Sequence, residues 1–336
     1  RQPRASQLDE RRTHMSANVL VTGSSGYIGR LLVEALATRG AEGRMGRVVA
    51  ADVREPERLP ASVTFVRHDV RDDGLADVLR RHDVTCVVHL ASIVTPPKGS
   101  TRAVEYAVDV QGSRRVLDAC IAANVRRLVV TSSGAAYGYH ADNPAWLAED
   151  APLRGNESFA YSWHKRLVEE MLADCRVRHP SLEQVIFRVG TILGATVHNQ
   201  ITALFERTRL LAIRGSDSPF VFIHDADVVA CLVRAVDAPV TGIFNVAGDG
   251  ALSIREIAAL LGKPVLTLPA WLLQGALAVA RPLGLTRYGP EQVDFLRYRP
   301  VLDNARLKRE FGYVPALTSR EAFDRWRERG RADTGR

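Results

Sequence analysis

Residues 18–30 read Asn18-Val19-Leu20-Val21-Thr22-Gly23-Ser24-Ser25-Gly26-Tyr27-Ile28-Gly29-Arg30. The apolar run Val19-Leu20-Val21 predicts a short buried strand. The apolar positions Ile28, Leu31, Leu32, Ala35 and Leu36 predict a helix directly after it. Between the two stand Gly23, Gly26 and Gly29 at a GxxGxxG spacing. Each glycine has a physical use here. One makes the tight turn, one lets the backbone come close to a ligand, and one lets the helix pack tightly on the strand. The start of the helix offers unpaired N–H groups and the positive end of its dipole, a combination that suits a phosphate.

The same alternation continues outward. Arg47–Ala51, Val63–Val66, Val84–His89, Arg127–Thr131 and Gln184–Val189 read as further strands. Helices are expected over Thr101–Ala123 and Ala160–Val177, and a short one is opened by Asp72-Asp73-Gly74. Strands alternating with helices predict an α/β protein, with a parallel sheet covered on both faces. The almost wholly apolar strand Val84–His89 belongs at its centre. Beyond residue 190 the texture changes. Ile201–Leu211, Val228–Val236 and Ile254–Leu261 predict helices, the last capped by Ser253 with Glu256. Phe220–Ile223 and Gly242–Val246 predict strands, and from Pro264 onward prolines and glycines cut the chain into short pieces. The expected organisation is a main unit over 15–190 and a smaller lobe over 191–330 that completes a cleft, the two interleaved as one compact unit. Residues 1–14 are expected to be a tag or disordered extension ahead of Met15, and 331–336 a tail.

Composition narrows the class. A chain of 336 residues with 46% hydrophobic content supports a sizeable core. The net charge of +7 is spread along the chain, with arginine-rich ends. No basic helix with interleaved aromatics stands out, so solvated charge is expected and nucleic acid is not. Cys86, Cys120, Cys175 and Cys231 are far apart and form no CxxC pair, which predicts reduced thiols, no zinc site and a cytoplasmic protein. The longest apolar stretch, Trp271–Ala280, is well short of the ~20 residues of a membrane span and reads as a lobe helix packed on the core. No membrane is expected as a partner.

Three groups of residues carry chemistry. Asp52 closes the second strand about 20 residues after the glycines, where a carboxylate accepts both ribose hydroxyls of an adenosine. It repels a 2′-phosphate, so NAD is expected over NADP, although Arg54 stands nearby. Tyr161 and Lys165 fall at i and i+4 on one helical face. A free tyrosine, with a pKa of ~10, is a poor base. A neighbouring ammonium favours its phenolate, which can then exchange a proton with an alcohol or carbonyl while hydride moves at the same carbon. Thr131-Ser132-Ser133 stands at the carboxyl end of the fifth strand, where ligand sites of open α/β sheets lie. His89 and His224 lack partners at ligand spacing and read as structural. His164 is expected to point away from the face shared by Tyr161 and Lys165, without a role.

Together these pieces resemble the extended short-chain dehydrogenase/reductase superfamily, in its NAD-dependent epimerase/dehydratase branch. The resemblance runs from Val19 to about Trp326. Its blocks are Thr22–Gly29, Asp52, Asp69-Val70, His89–Ser92, Thr131–Gly138 and Tyr161–Lys165. Weaker matches are Phe187-Arg188, Phe222–His224 with Asp227, Phe244–Val246 and Asp303–Leu307. The resemblance implies a Rossmann-type doubly wound parallel sheet with a smaller C-terminal substrate-binding lobe. It implies Ser133, Tyr161 and Lys165 as the catalytic set. For NAD it implies Gly23, Ser25, Gly26 and Gly29 in the turn, the N–H groups of Tyr27 and Ile28 on the pyrophosphate, and Asp52 on the ribose. Asp69 and Val70 would hold the adenine. Leu90, Ala91, Ser92 and Thr131 would line the path to the nicotinamide ribose, with Tyr161 and Lys165. Family members often pair through a four-helix interface, which implies a homodimer through Thr101–Ala123 and Ala160–Val177.

The chain also departs from the family. Asp109-Val110 stands where Asn-Val is frequent, Thr191 where nucleotide-sugar members usually carry Asn, and Phe220 where they tend to carry arginine. Arg207, Arg214, Arg297 and Arg299 are candidates to replace that lost phosphate clamp. Gly134-Ala135 offers no acid where the dehydratases have an acidic pair, so elimination of water is not expected. The leading expectation is therefore an NAD-dependent oxidoreductase at a secondary hydroxyl, foremost an epimerase of a nucleotide sugar acting through a transient ketone. The alternatives are net dehydrogenation or reduction of a non-nucleotide alcohol or carbonyl, and a non-enzymatic dinucleotide sensor. No metal is expected.

Overall fold

A computed structural model describes residues 16–97, 99–197, 199–217, 219–286 and 289–334. The extension expected over 1–14 and the last two residues of the expected tail lie outside these. The strands are β1 Val19–Thr22, β2 Val48–Asp52, β3 Val63–Arg67, β4 Cys86–His89, β5 Arg127–Ser133, β6 Glu183–Val189, β7 Thr191–Leu193, β8 Leu210–Ile213, β9 Phe222–His224, β10 Gly242–Val246 and β11 Val265–Leu268. Seven of them form one sheet in the order β10-β6-β5-β4-β1-β2-β3. Every pair in it is parallel. The order reverses between β1 and β4, where Thr22 pairs with His89. In an open parallel sheet, a crevice for ligands forms at the carboxyl ends of two such strands.

Helices cover both faces, as the apolar runs demand. On one side lie α1 (Tyr27–Ala41) and the helix Asp225–Asp237, packed with Leu307 and Phe311 against Val19, Val21, Val88, Val129 and Phe187. On the other lie α2 (Leu75–Arg81), α3 (a continuous helical run over 102–122) and α4 (Ala160–Arg178). The α3 run contains a π-helical turn, Ala107–Gly112. The second half adds α5 (Gln200–Phe205), α6 (Asp225–Asp237), α7 (Ile254–Leu261), α8 (Ala270–Ala280), α9 (Gln292–Arg297) and α10 (Ser319–Thr334). A cluster of Phe205, Phe220, Phe222, Phe323, Leu252 and Ile257 forms its own core. Since β10 and α6 join the main sheet and its cover, the second half is threaded into the first.

Two expectations fail. The helix expected over Ile201–Leu211 stops at Phe205, and Leu210–Ile213 pairs in parallel with Val265–Leu268. A short apolar run fits a buried strand as well as a helix, and only the distant partner decides between them. Residues 270–280 do form a helix, but none of them is buried, and Trp271 is 72% exposed. That helix is apolar all round, so no stripe is singled out for the core.

The glycine turn is as tight as its spacing implies. Gly23 has φ +68°, and a Cβ on it would lie 2.7 Å from the Ala91 nitrogen, across the switch point. A Cβ on Gly29 would lie 2.2 Å from the Gly23 carbonyl oxygen and 2.8 Å from the Ser24 backbone. Both neighbours are backbone and cannot yield by rotamer change. Gly29→Ala is therefore expected to push α1 off the turn, cost about 1–3 kcal/mol or more, and abolish NAD binding. Calorimetric unfolding and NAD titration check both effects; an unchanged midpoint with unchanged binding refutes the packing argument.

Candidate active site

A cavity of about 550 Å³ opens at the carboxyl ends of β1, β4 and β5. Gly23, Gly26, Tyr27, Ile28 and Gly29 line one end. The first residue before α1 is Gly26, and no side chain caps the helix there. Its leading N–H groups are thus left for an anion. Leu90, Ser92, Thr131, Ser133, Tyr161 and Lys165 line the same cavity. The expected catalytic set and the glycine turn, more than 100 residues apart in sequence, thus share one space.

Each of the three reaches it for a local reason. Ser133 ends β5, and its Oγ accepts the Ala135 N–H at 3.1 Å, which caps the short 3₁₀ turn Gly134–Tyr137. Tyr161 and Lys165 stand one helical turn apart on α4, with Lys165 Nζ 5.6 Å from the centre of the Tyr161 ring. Lys165 is buried, and its Nζ donates to the Thr131 carbonyl at 3.1 Å. That bond ties α4 to the end of β5 and fixes the ammonium in the crevice.

The other expected cofactor residues, Ser25, Asp52, Asp69, Val70 and Ala91, stand outside the lining of this cavity. Asp52 ends β2 with its carboxylate oriented by the turn. Its Oδ2 accepts the Ser25 N–H at 3.0 Å and its Oδ1 the Arg54 N–H at 3.2 Å. Arg71 grips the Asp69 carboxylate from Nε and Nη2 and holds it below the usual carboxylate range. Val70 is buried against Gly112 of the π turn. Ala91 forms the floor under Gly23. Tyr27 joins the two halves of the molecule: its hydroxyl donates to Asp225 at the start of α6. Burial, reinforced by that carboxylate, raises the pKa of the phenol above its ordinary value.

The histidines divide. His89 is structural, its ring nitrogens bonded to Thr22 Oγ1 at 2.7 Å and Ser113 Oγ at 2.9 Å. Burial, with the Lys165 charge added, pushes its pKa down to about 3. His224 caps α6, its Nδ1 accepting the Ala226 N–H. His164 is buried and partnered. It is 1% exposed and its Nδ1 meets Asp109 Oδ2 at 3.0 Å. The reason is tertiary: the π turn of α3 carries a carboxylate to the flank of α4, a partner that helical spacing on α4 alone does not reveal.

Sequence reading missed the aromatic wall. Tyr139, Phe159 and Phe295 stack edge-on or tilted, with centroids 5.0–5.6 Å apart, and all three line the cavity. Beside them lies Arg299, one of four arginines proposed as an anion clamp. Its guanidinium carbon sits 3.8 Å over the Phe220 ring and 4.9 Å over Phe295. Burial pushes its pKa down to about 9. Its Nε and Nη1 are buried with no hydrogen-bond partner among the described residues. The residue at the expected arginine position, Phe220, thus supplies the ring on which another arginine rests.

Beneath the site runs a buried polar network. Arg188 Nε and Nη2 bind both oxygens of Glu169 at 2.7–3.0 Å, with the residues only 3% and 2% exposed. The Ser132 hydroxyl donates to the same carboxylate. Arg188 Nη1 donates to the Tyr137 hydroxyl at 2.8 Å and the Glu149 carbonyl at 2.9 Å. The network joins β5, β6 and α4 just below Ser133. All four cysteines are buried and unpaired. No cluster of metal-ligating side chains occurs among the described residues, and no described helix is long and apolar enough to cross a membrane.

Comparison with known proteins adds the context. The model of the "NAD dependent epimerase/dehydratase family" matches residues 19–247. An uncharacterised protein of Mycobacterium tuberculosis, Rv0501, is 29% identical over 311 residues, covering 91% of this chain and 82% of that protein. A UDP-glucose 4-epimerase of Azospirillum brasilense is 33% identical over 185 residues, 54% of this chain and 51% of that enzyme. Among solved structures, MoeE5 in complex with UDP-glucuronic acid and NAD superposes with a TM-score of 0.71 at 23% identity, covering 94% of this chain and 100% of that one. The UDP-glucose 4-epimerase of Thermus thermophilus with NAD gives a TM-score of 0.70 at 24% identity, covering 94% of this chain and 99% of that one.

Proposed function

Because the chain belongs to the NAD-dependent epimerase/dehydratase family, and is with it an NAD-dependent enzyme, we propose that it epimerises a nucleotide sugar at a secondary carbinol carbon. Bound NAD supplies the hydride acceptor and donor. In this reading Tyr161 removes the hydroxyl proton and later returns it, while Ser133 hydrogen-bonds the reacting oxygen. Lys165, anchored on Thr131, keeps a positive charge beside the phenol. The uncapped start of α1 and the turn glycines receive the pyrophosphate, and a site without Cβ atoms at Gly23 and Gly26 has the room for it. Gly134 and Ala135 put no acid in the cavity, which argues against dehydration.

The observation that carries the nucleotide-sugar reading is Arg299. A buried guanidinium with two unpaired nitrogens is costly unless something meets it. An anionic group on the substrate meets it, and a diphosphate is the anion such substrates carry. The aromatic wall of Tyr139, Phe159 and Phe295 favours a second reading, net oxidation or reduction of a less polar, non-nucleotide alcohol or carbonyl.

One experiment separates the two. The purified protein is assayed for bound NAD, then given UDP-, GDP- and dTDP-sugars while reduced nicotinamide is followed by absorbance and products are chromatographed. Sugar interconversion without free NADH supports the epimerase; stoichiometric NADH with a simple alcohol, and no sugar turnover, replaces it with the dehydrogenase. Arg299→Met is expected to raise KM for the active sugar nucleotide about 10- to 100-fold, the value of a charge-assisted hydrogen bond, with kcat little changed. An unaltered KM removes Arg299 from substrate binding.

A further inference from the structure

Residues 261–286 include no buried residue, although most of their side chains are apolar. Half of the large apolar side chains exposed among the described residues fall in this one segment: Leu266, Trp271, Leu272, Val279, Leu283 and Leu285. We propose that α8 and the turn after it, through Leu285, are a docking surface for a lipid bilayer with anionic headgroups.

The apolar pattern favours lipid over a protein groove. Within Ala270–Ala280, Gln274 is the one amide, hydroxyl or charged side chain. A helix that is apolar all round is at home where every face is covered, in a protein core or in lipid. No residue of α8 is buried in the core. A protein partner covers one face and brings a polar rim, with about one hydrogen bond per 100–200 Å². For such a rim α8 has a single amide. A bilayer covers all faces and needs no side-chain hydrogen bond, because a helix satisfies its own backbone. The 11 residues of α8 make a rod of roughly 16 Å, about half of a ~30 Å hydrocarbon core. The helix therefore seats in the surface layer and does not cross it. Trp271, in its first turn, is a side chain that settles at headgroup level.

The charge around the segment fits anionic headgroups. From 257 to 290 the chain carries Lys263, Arg281 and Arg287 and no acid. Beside this segment, β8 pairs with β11, and Arg207, Arg209 and Arg214 around β8 are all exposed. The Leu210 N–H donates to the Pro264 carbonyl and the Arg214 N–H to the Leu268 carbonyl. Arg209 and Arg214 thus stand at the two ends of β11, the second next to the start of α8. Arg207 and Arg214, candidates from the sequence for a phosphate clamp, do not line the cavity. The acids bordering these stretches are Glu206, Asp217, Glu256 and Glu291. Glu256 is held in the cap of α7, and Glu291 on Arg281. Cations set around an apolar segment are drawn to anionic lipid by charge and held there by apolar area.

Docking bears on the active site. Arg281 Nη1 donates to Glu291 Oε1 at 2.9 Å, which ties the end of α8 to the start of α9. From α9, Phe295 reaches the cavity wall. The lobe that meets the bilayer is thus the one that completes the cleft, whatever alcohol or sugar enters it.

Vesicle flotation tests the docking without any substrate. The purified full chain with its bound cofactor is mixed with vesicles of phosphatidylcholine, alone or with about one third phosphatidylglycerol. Binding to the anionic vesicles is expected to be about tenfold stronger or more. Salt at about 1 M, where the Debye length is ~3 Å, is expected to remove most of that difference. Lipids brominated in the acyl chain are expected to quench indole fluorescence. Trp271→Gln with Val279→Gln is expected to abolish the quenching and to lower vesicle binding about tenfold or more. Both side chains are exposed, so the thermal midpoint and NAD affinity are expected to stay unchanged. Arg209→Glu with Arg214→Glu is expected to weaken binding to the anionic vesicles alone. No binding to anionic vesicles, equal binding to neutral ones, or binding unaltered by the Trp271/Val279 pair overturns the proposal. A dimer in light scattering that this pair turns into a monomer, with vesicles bound by neither, assigns the face to a second copy and overturns it as well. Should the variants fail to fold, the two vesicle compositions and the salt series decide it on the wild type.

Discussion

Tyr161→Phe is expected to lower the rate of hydride transfer about 10²- to 10⁴-fold, the usual contribution of a positioned acid–base group. The ring stays, so the wall of the cavity keeps its shape and Lys165 keeps its bond to Thr131. Only the hydroxyl is lost. NAD affinity is therefore expected to change by no more than about tenfold, roughly one hydrogen bond. Single-turnover absorbance of bound nicotinamide, with the sugar nucleotide found by the panel, measures the first quantity; calorimetric titration with NAD measures the second. Full activity in the variant moves the proton transfer to another group. A loss of NAD binding as large as the loss of rate makes Tyr161 a cofactor ligand and not the proton carrier.

The largest effect on stability is expected at Glu169. Its carboxylate and the Arg188 guanidinium are each almost wholly buried and bound twice over. Burial alone works against the arginine charge, and Glu169 more than offsets it. Glu169→Ala leaves that charge uncompensated and is expected to cost about 3–5 kcal/mol. Replacing both partners by methionine removes the charge with its counter-charge, and most of the loss is expected to return. Denaturant unfolding of Glu169→Ala and of the double methionine variant tests this. A single-variant loss below about 1 kcal/mol means that water reaches the pair. Since Ser132 also bonds Glu169, the single variant is expected to loosen the end of β5 that carries Ser133, and activity falls with stability.

Much of the site was legible early because it obeys local rules. The strand, the three glycines and the helix of residues 18–41 follow from periodicity and from the absence of Cβ atoms. Tyr161 and Lys165 share a face because a helix repeats every 3.6 residues. The six apolar runs before residue 190 are all strands of one parallel sheet. Where such rules are ambiguous, a distant partner decides the local structure. Leu210–Ile213 is a strand because Val265–Leu268 lies beside it, and nothing within the run itself distinguishes the two states.

By itself, then, the sequence determined the doubly wound sheet, the tight glycine turn and the tyrosine–lysine pair, all of which rest on spacing within one element or on a recognisable order of elements. Only the tertiary structure decided which arginine stands free in the cavity, what wall faces the phenol, and that His164 is paired with Asp109. These depend on side chains from elements far apart in the chain meeting at one point. Arg299 meets Phe220 and Phe295, and a carboxylate in a π turn meets a ring on the next helix. Helical and strand periods fix direction within an element; the contact between two elements is fixed by how their surfaces pack, and that information is distributed over the whole core.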